Sequence, residues 1–374
     1  MKILFIVSTL QMGGAERVVA ELANRWVVLG HSISLLTLDL APDFFKLDEK
    51  ITRFRLDIVR KSRKNPIPHI KMLFGIKRVA KEVKPDYVIS MVGKTNIFTL
   101  LALGSKKYKV VVCEQTTINQ DDSEKLIDFF RLRLYHKAYK ATVLSKTLKK
   151  DFLLKYPKCK EENVIVHPNA LNVPSSIKES NLKLKDICNV KNENTKIIVS
   201  LGRFSEVKRF DLLIKSFAQF YEKYCCNPTN FDARLILFGG GDERQNYIDL
   251  IAKLNMQEKI FIHERVDDVF SVLAQADVLA CTSRYEGLSM SMLEAFYAKV
   301  PVIAFDVQGF NEVIINEKTG MLVENNNIEE YANSLHKLLT KQSLYDEIIH
   351  NAEIEVKNYL PEKNDERWFN EILV

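Results

Sequence analysis

Apolar positions along the chain fall into two rhythms that alternate from end to end. Short β-branched runs read as buried strands: Lys2–Val7, Ile33–Leu38, Asp86–Met91, Tyr108–Val112, Ala141–Leu144 and Asn163–Val166 in the first half. In the second half the runs are Lys196–Leu201, Arg234–Phe238, Lys259–Ile262, Asp277–Ala280 and Pro301–Ala304. Between them lie stretches with helical spacing, such as Ala15–Leu29, Ile67–Val83 and Glu124–Tyr139. Strands alternating with helices predict parallel sheets covered on both faces. Two such sets predict an α/β protein of two doubly wound, Rossmann-like domains. The polar stretch from Pro174 to Asn194 carries no apolar strand and reads as the linker, 174–194, between domains 1–173 and 195–360. The tail, 361–374, has one helical pattern with Trp368, Phe369 and Leu373; with no strand after it, it is expected to pack back on the first domain.

Length and composition agree with this division. At roughly 100–200 residues per domain, 374 residues favour two. An apolar fraction of 47% rules out disorder as the main state. The longest apolar runs, such as Ile3–Val7, are about five residues, whereas a membrane span needs roughly 20. The N-terminal run reads as a first strand rather than a signal peptide. Six cysteines without a CxxC pair point to packed, reduced thiols and a cytoplasmic protein.

The net charge of +6 conceals two halves of opposite sign. Residues 1–170 hold 31 basic and 17 acidic side chains, a balance of +14; the remainder holds 23 and 31, a balance of −8. The basic half suits a phosphorylated ligand or an anionic membrane surface. Arg63, Lys64, Lys71, Arg78 and Lys81, among Ile70, Leu73, Phe74 and Ile76, are the candidate lipid or diphosphate contacts, together with the mixed run Phe129–Tyr135. No nucleic-acid motif accompanies the charge, so nucleic acid is not an expected partner.

Four places could carry chemistry. Gly13-Gly14-Ala15-Glu16-Arg17 joins the first strand to the first helix, where glycine admits a close ligand and the helix N-terminus offers free N–H groups. It lacks the spacing of a nicotinamide fingerprint. Gly202-Arg203, with Lys208, follows a strand, and two cations at a strand's carboxyl end suit a diphosphate. Gly239-Gly240-Gly241 follows the next strand. The last place is Glu286-Gly287-Leu288-Ser289, with Glu294 eight residues beyond Glu286 on an apolar helix, where a carboxylate needs a partner. By residue type alone each of these also fits a tight turn, a solvated basic pair or a structural carboxylate. No histidine pair has metal-ligand spacing and there is no DxD, so no metal and no cofactor are expected.

Taken together, these residues resemble the retaining glycosyltransferases of family 4, also called group 1, whose fold is GT-B: two Rossmann-like domains facing across a cleft. The matching marks are Gly13 to Arg17, Gly202-Arg203 with Lys208, Glu286-x7-Glu294, Gly309-x-x-Glu312 and Gly320-x-Leu322-Val323. The resemblance implies that Arg203 and Lys208 grip the diphosphate of a UDP-sugar, Glu294 holds the ribose, and Glu286 is catalytic, holding the donor sugar and stabilising developing positive charge. It implies donor contacts from Gly14, Gly239, Gly240, Val266, Gly287, Leu288 and Ser289, and an acceptor side at Glu114, Gln115, Thr116 and Arg17. The first domain departs from the family where a histidine is common and Gln115 stands, so no titrating group is available there. Phe-x-Gly before the base-binding Val266 is replaced by Ile262-His263-Glu264-Arg265. The implied activity is transfer of a hexose or N-acetylhexosamine to a lipid-linked glycan on the inner face of the plasma membrane. Two alternatives are an epimerase on the same fold, which Gln115 disfavours, and an inert nucleotide- or glycan-binding partner, which the intact Arg203, Lys208, Glu286 and Glu294 set disfavours.

Overall fold

A computed structural model describes the chain except residues 12, 40, 57, 59–66, 105–106, 116–124, 178, 180–181, 191, 193 and 227–230. Two compact units result: Met1–Ala170 with Asn364–Val374, and Leu171–Lys363.

The first unit carries strands β1 (Lys2–Val7), β2 (Ser32–Thr37), β3 (Thr52–Arg55), β4 (Tyr87–Met91), β5 (Lys109–Cys113), β6 (Lys140–Val143) and β7 (Val164–Val166). Its helices are α1 (Gly14–Val28), α2 (Ile67–Val83), α3 (Gly93–Leu103), α4 (Lys125–Leu134) and α5 (Lys146–Lys155). All seven strands are parallel, in the order β3-β2-β1-β4-β5-β6-β7. The chain therefore reverses its winding between β1 and β4, a topological switch point that opens a crevice at the carboxyl edge. Strands β1, β4 and β5 are almost wholly buried, as a sheet covered on both faces requires.

The second unit carries β8 (Lys196–Leu201), β9 (Ala233–Phe238), β10 (Ile260–His263), β11 (Val278–Cys281), β12 (Val302–Phe305) and β13 (Met321–Val323). Its helices are α6 (Leu184–Ile187), α7 (Phe210–Tyr224), α8 (Arg244–Lys253), α9 (Val269–Leu273), α10 (Met290–Tyr297), α11 (Ile328–Thr340) and α12 (Gln342–Val356). The order β10-β9-β8-β11-β12-β13 is again all parallel, with its switch between β8 and β11. The stretch read as a linker carries α6 and sends Leu184 and Cys188 into this unit's core.

Two strands escaped the apolar pattern. Half of β3 is arginine, and this edge strand has Arg53 and Arg55 sharing the single carboxylate of Asp43. Strand β13 is three residues long, too short for a period to register. Helix α13 (Pro361–Arg367) and the residues after it bring Trp368, Ile372 and Leu373 into the first unit's core. Trp368 meets Trp26 edge-on at 5.4 Å. Asp365 clamps this segment, accepting from Trp26 Nε1 at 2.8 Å and from Arg25 at 2.9 and 3.0 Å. Among the described residues no helix is long and apolar enough to cross a membrane.

His167, directly after β7, is buried and lies edge-on to Trp368 at 4.7 Å. Burial, aided by Arg367 and opposed by Asn364 and Asp365, pushes its pKa from 6.5 to about 3. The folded unit thus keeps this ring neutral while the unfolded chain protonates it below pH 6.5, so stability falls as pH falls from 6.5 towards 3. Between pH 7.5 and 5.0 the wild type is expected to lose about 2 kcal/mol more than His167→Gln. Urea unfolding followed by tryptophan fluorescence reads this unit selectively, since both tryptophans, Trp26 and Trp368, are in its core. Parallel pH profiles for the two proteins would refute the assignment.

Candidate functional site

Every candidate in the second unit follows the carboxyl end of a strand of one sheet. Gly202-Arg203 and Lys208 follow β8, Gly239-Gly240 follow β9, Val266 follows β10, Glu286 to Ser289 and Glu294 follow β11, and Gly309 follows β12. Five neighbouring strands thereby deliver their loops to one edge, beside the switch point between β8 and β11.

The loops interlock through backbone. Gly202 N–H donates to Phe238 O at 3.0 Å, and Phe204 N–H to Gly240 O at 2.9 Å. A side chain on Gly239 would start 1.9 Å from Gly202 O, and one on Gly241 2.4 Å from Phe204 O. Phe204, fully buried against Phe210 and Tyr247, anchors the loop and leaves Arg203 exposed to solvent. Gly240 faces open space.

Lys208 runs across Gly202, where an added side chain would come within 3.1 Å of its stem, and its Nζ reaches Glu286 Oε1 at 2.6 Å. Ser283 Oγ donates to the same oxygen at 2.8 Å. The backbone of Glu286 is held by its N–H donating to Gln308 O at 3.0 Å. Gly309, at φ +91, packs so closely that a side chain there would meet Glu286 O at 2.5 Å. Thr282 ties the end of β11 to the Lys208 turn by donating to Arg209 O at 2.9 Å. Most of each side chain of the Lys208–Glu286 pair is withdrawn from water, so their mutual attraction is stronger than that of a surface pair.

Glu294 is on α10, 7% exposed among the buried Met292, Leu293, Ala295 and Phe296. Ser289 caps that helix, accepting from Met292 N–H at 3.4 Å. Leu288 and Val266 pack partly buried against the core.

The first unit distributes its candidates differently. Gly14 opens α1, with space where a side chain would be, while Arg17 is paired with Glu21 at 2.7 Å. Glu114, expected on the acceptor side, is turned inward and 4% exposed. It accepts from Tyr135 Oη and from Asn96 Nδ2 at 3.2 Å, with Arg131 at 3.9 Å. Burial and the Glu114 charge push the Tyr135 phenol well above its usual pKa. For Arg131 desolvation is the largest single effect and lowers the pKa, but Glu114, Tyr135, Tyr156 and the hydrogen bond to Asp128 together hold it above its usual value. Arg131 and Tyr135 therefore belong to a buried network, whereas the sequence pattern put them on a lipid-facing stretch. Their partner Glu114 precedes α4, 21 positions before Tyr135, and no local period could reveal it. Gln115 is half-buried and accepts from Asn169 Nδ2 at 2.7 Å. Lys71, Arg78 and Lys81 are exposed on α2. Thr116, Arg63 and Lys64 lie outside the described residues. Among the described residues no group of three or more His, Cys, Asp or Glu side chains is placed to hold a metal ion.

Residues 12–173 match the profile of Glycosyltransferase Family 4, and residues 185–355 that of Glycosyl transferases group 1. The chain belongs to the group 1 glycosyltransferases. An uncharacterised glycosyltransferase of Haemophilus influenzae is 26% identical over 370 residues, 97% of each chain. A Campylobacter jejuni enzyme named GalNAc-alpha-(1->4)-GalNAc-alpha-(1->3)-diNAcBac-PP-undecaprenol alpha-1,4-N-acetyl-D-galactosaminyltransferase is 23% identical over 382 residues, covering 98% of this chain and 97% of that protein. The Anabaena protein HepE, solved in complex with UDP, superposes with a TM-score of 0.79 at 19% identity over 98% of both chains. The two parallel-sheet units are those of the GT-B fold, and this glycosyltransferase acts in glycan synthesis.

Gly309→Ala should cost about 1–3 kcal/mol, because it adds a clash with Glu286 to a left-handed backbone. Gly240→Ala, which meets nothing, should stay within about 0.5 kcal/mol of wild type. Scanning calorimetry of the two variants checks this. Equal losses would mean that the close approach to Glu286 imposes no constraint.

Proposed function

We propose that this glycosyltransferase moves a hexose or N-acetylhexosamine from a UDP-sugar, with retention and without a metal ion, to a lipid-linked oligosaccharide or polysaccharide acceptor. The observation that carries the reading is the meeting of Lys208 and Glu286 at adjacent strand ends, with Glu294 one turn into the next helix. On this reading Arg203 and Lys208 bind the diphosphate as charge-assisted donors. Glu294 accepts from ribose hydroxyls. Glu286 holds the sugar and stabilises the positive charge that develops at its anomeric carbon. The acceptor oxygen bonds to that carbon on the face the diphosphate leaves, the carbon–oxygen bond to phosphate breaks, and the acceptor proton passes to a phosphate oxygen. UDP departs, and the protein supplies position and charge rather than a nucleophile. Support for the nucleotide comes from the UDP bound to HepE, and support for a lipid-linked acceptor from the undecaprenol in the Campylobacter enzyme's name.

Arg203→Ala and Lys208→Ala should each weaken UDP binding by roughly tenfold to a hundredfold, the loss of one charge-assisted contact. Glu294→Gln should mainly raise the donor KM and Glu286→Gln mainly lower kcat, since ribose contacts serve ground and transition states alike. Calorimetric titration with UDP, and hydrolysis of a panel of UDP- and GDP-sugars without acceptor, read these effects. One shared kinetic signature for both glutamates, or unchanged UDP affinity in both cation variants, would overturn the assignment.

We further propose that the first unit rests on the cytoplasmic face of an anionic membrane. Ile70, Phe74, Lys77, Arg78 and Lys81 form one exposed stripe along α2, with Phe74 68% exposed. On α4, Phe129 and Leu132 are also exposed, with the Arg133 guanidinium 3.7 Å from the Phe129 ring centre. Replacing Lys71, Arg78 and Lys81 by Gln should weaken binding to anionic liposomes roughly a hundredfold at low salt, at about 1 kcal/mol per cation. A wild type that stays in the supernatant at low salt would leave these helices as solvated faces.

A further inference from the structure

The loop after β2 holds an aromatic ring in water although it is fastened at every side. Leu38 N–H and Asp39 N–H donate to Ser8 O, each at 3.1 Å, and Phe44 N–H donates to Leu10 O at 2.8 Å. Leu38, Asp39 and Phe44 are thus tied to Ser8 and Leu10, the residues that follow β1. Further on, Asn24 of α1 donates to Lys46 O at 3.0 Å and accepts from Asp48 N–H at 2.8 Å. Asp43 binds Arg53 at 3.0 Å and Arg55 at 2.6 Å, so the loop is also locked to β3. Within this frame Phe44 is 57% exposed, its ring braced edge-on by Phe45 at 5.1 Å.

The polar groups that fasten the loop to β3 through Asp43 differ in how much they have left to offer. Arg53 is spent on Asp43, Thr37 Oγ1 and the carbonyls of Leu35 and Phe54. Arg55 makes one of these contacts, through a single nitrogen, and its side chain is 40% exposed. Arg55 pairs with Thr37 in register, so it stands at the carboxyl edge, where open α/β sheets take ligands. A rigid exposed aromatic face, a guanidinium with donors to spare and a neighbouring carboxylate match one chemistry in particular. A pyranose ring has an apolar face of C–H bonds, which suits the electron-rich face of phenylalanine, and a rim of hydroxyls that accept from Arg and donate to Asp.

We propose that Phe44, with Arg55 and Asp43, is the platform on which a pyranose ring of the acceptor glycan docks. The inference rests on the reading that the first unit receives the acceptor. Because Asp43 and Phe44 are already held by their ion pairs and backbone hydrogen bond, little freedom is lost on binding, and the platform selects for ring shape rather than for charge.

The probes are octyl glycosides of glucose, galactose, N-acetylglucosamine and N-acetylgalactosamine, tested as acceptors and as ligands. For whichever is glycosylated, Phe44→Ala should raise the acceptor KM about tenfold with a smaller change in kcat, and Phe44→Tyr should restore it. In Phe44→Trp the new indole should change its emission saturably with that glycoside, against the constant background of the two buried tryptophans. Adding Arg55→Gln should weaken this response. An alkyl tetraethylene glycol, which has the chain but no sugar, should give none. Unchanged acceptor KM in Phe44→Ala, or an equal response to the sugar-free detergent, overturns the platform alone. Donor hydrolysis without transfer to any of the glycosides, and without an emission change, overturns the acceptor reading and the platform with it.

Discussion

The ion pair between Lys208 and Glu286 is the contact on which the second unit's carboxyl edge is arranged. It joins the turn after β8 to the loop after β11, the two strands that flank the switch point. Its geometry depends on glycine twice. Gly202 leaves room for the lysine stem, and Gly309 lets the chain after β12 lie against the carbonyl of Glu286. Ser283 and the Gln308 carbonyl complete the hold on the glutamate. A carboxylate and an ammonium drawn partly out of water would each be costly alone, so the loops are stable in this form because the charges meet.

The first unit uses buried charge for a different end. Glu114 gathers Tyr135, Asn96 and Arg131 behind the end of β5, and the Arg131 guanidinium lies where any side chain on Gly93 would be. Asp365 gathers Arg25 and Trp26 to fasten the chain's last segment. Both anions serve packing, and both join residues distant in sequence. Removing one partner from either cluster would leave a charge or a polar atom unpaired in an apolar setting, which costs stability.

What the chain revealed before folding follows from the range of each signal. Strands such as β1, β8 and β9 were legible because a doubly covered sheet demands continuous apolar runs. The edge strand β3 was not, since its arginines find their partner in Asp43, from a loop outside the strand. In the site, Gly202, Lys208, Glu286 and Glu294 could be singled out because each follows a strand at short range. The pairing of Lys208 with Glu286 spans 78 positions and left no trace in the sequence. The role of Gly239 also changes with the structure. On the side where a side chain would stand it is closed by the Gly202 carbonyl, whereas Gly240 faces open space there.

On the proposed reading, the same ion pair has a consequence for how a donor enters. Lys208 is already paired with Glu286, while Arg203, exposed, has no such partner among the described residues. An arriving diphosphate meets Arg203 first and must then share Lys208 with Glu286. A diphosphate has the greater charge and more acceptor oxygens than one carboxylate, so the ammonium can turn towards it while Ser283 keeps its hydrogen bond to the glutamate. Glu286 then loses part of its cationic neighbour at the moment a sugar is brought beside it. Its negative charge is released towards the anomeric carbon where positive charge develops, so electrostatic stabilisation would be strongest with the donor in place and weak in the empty site.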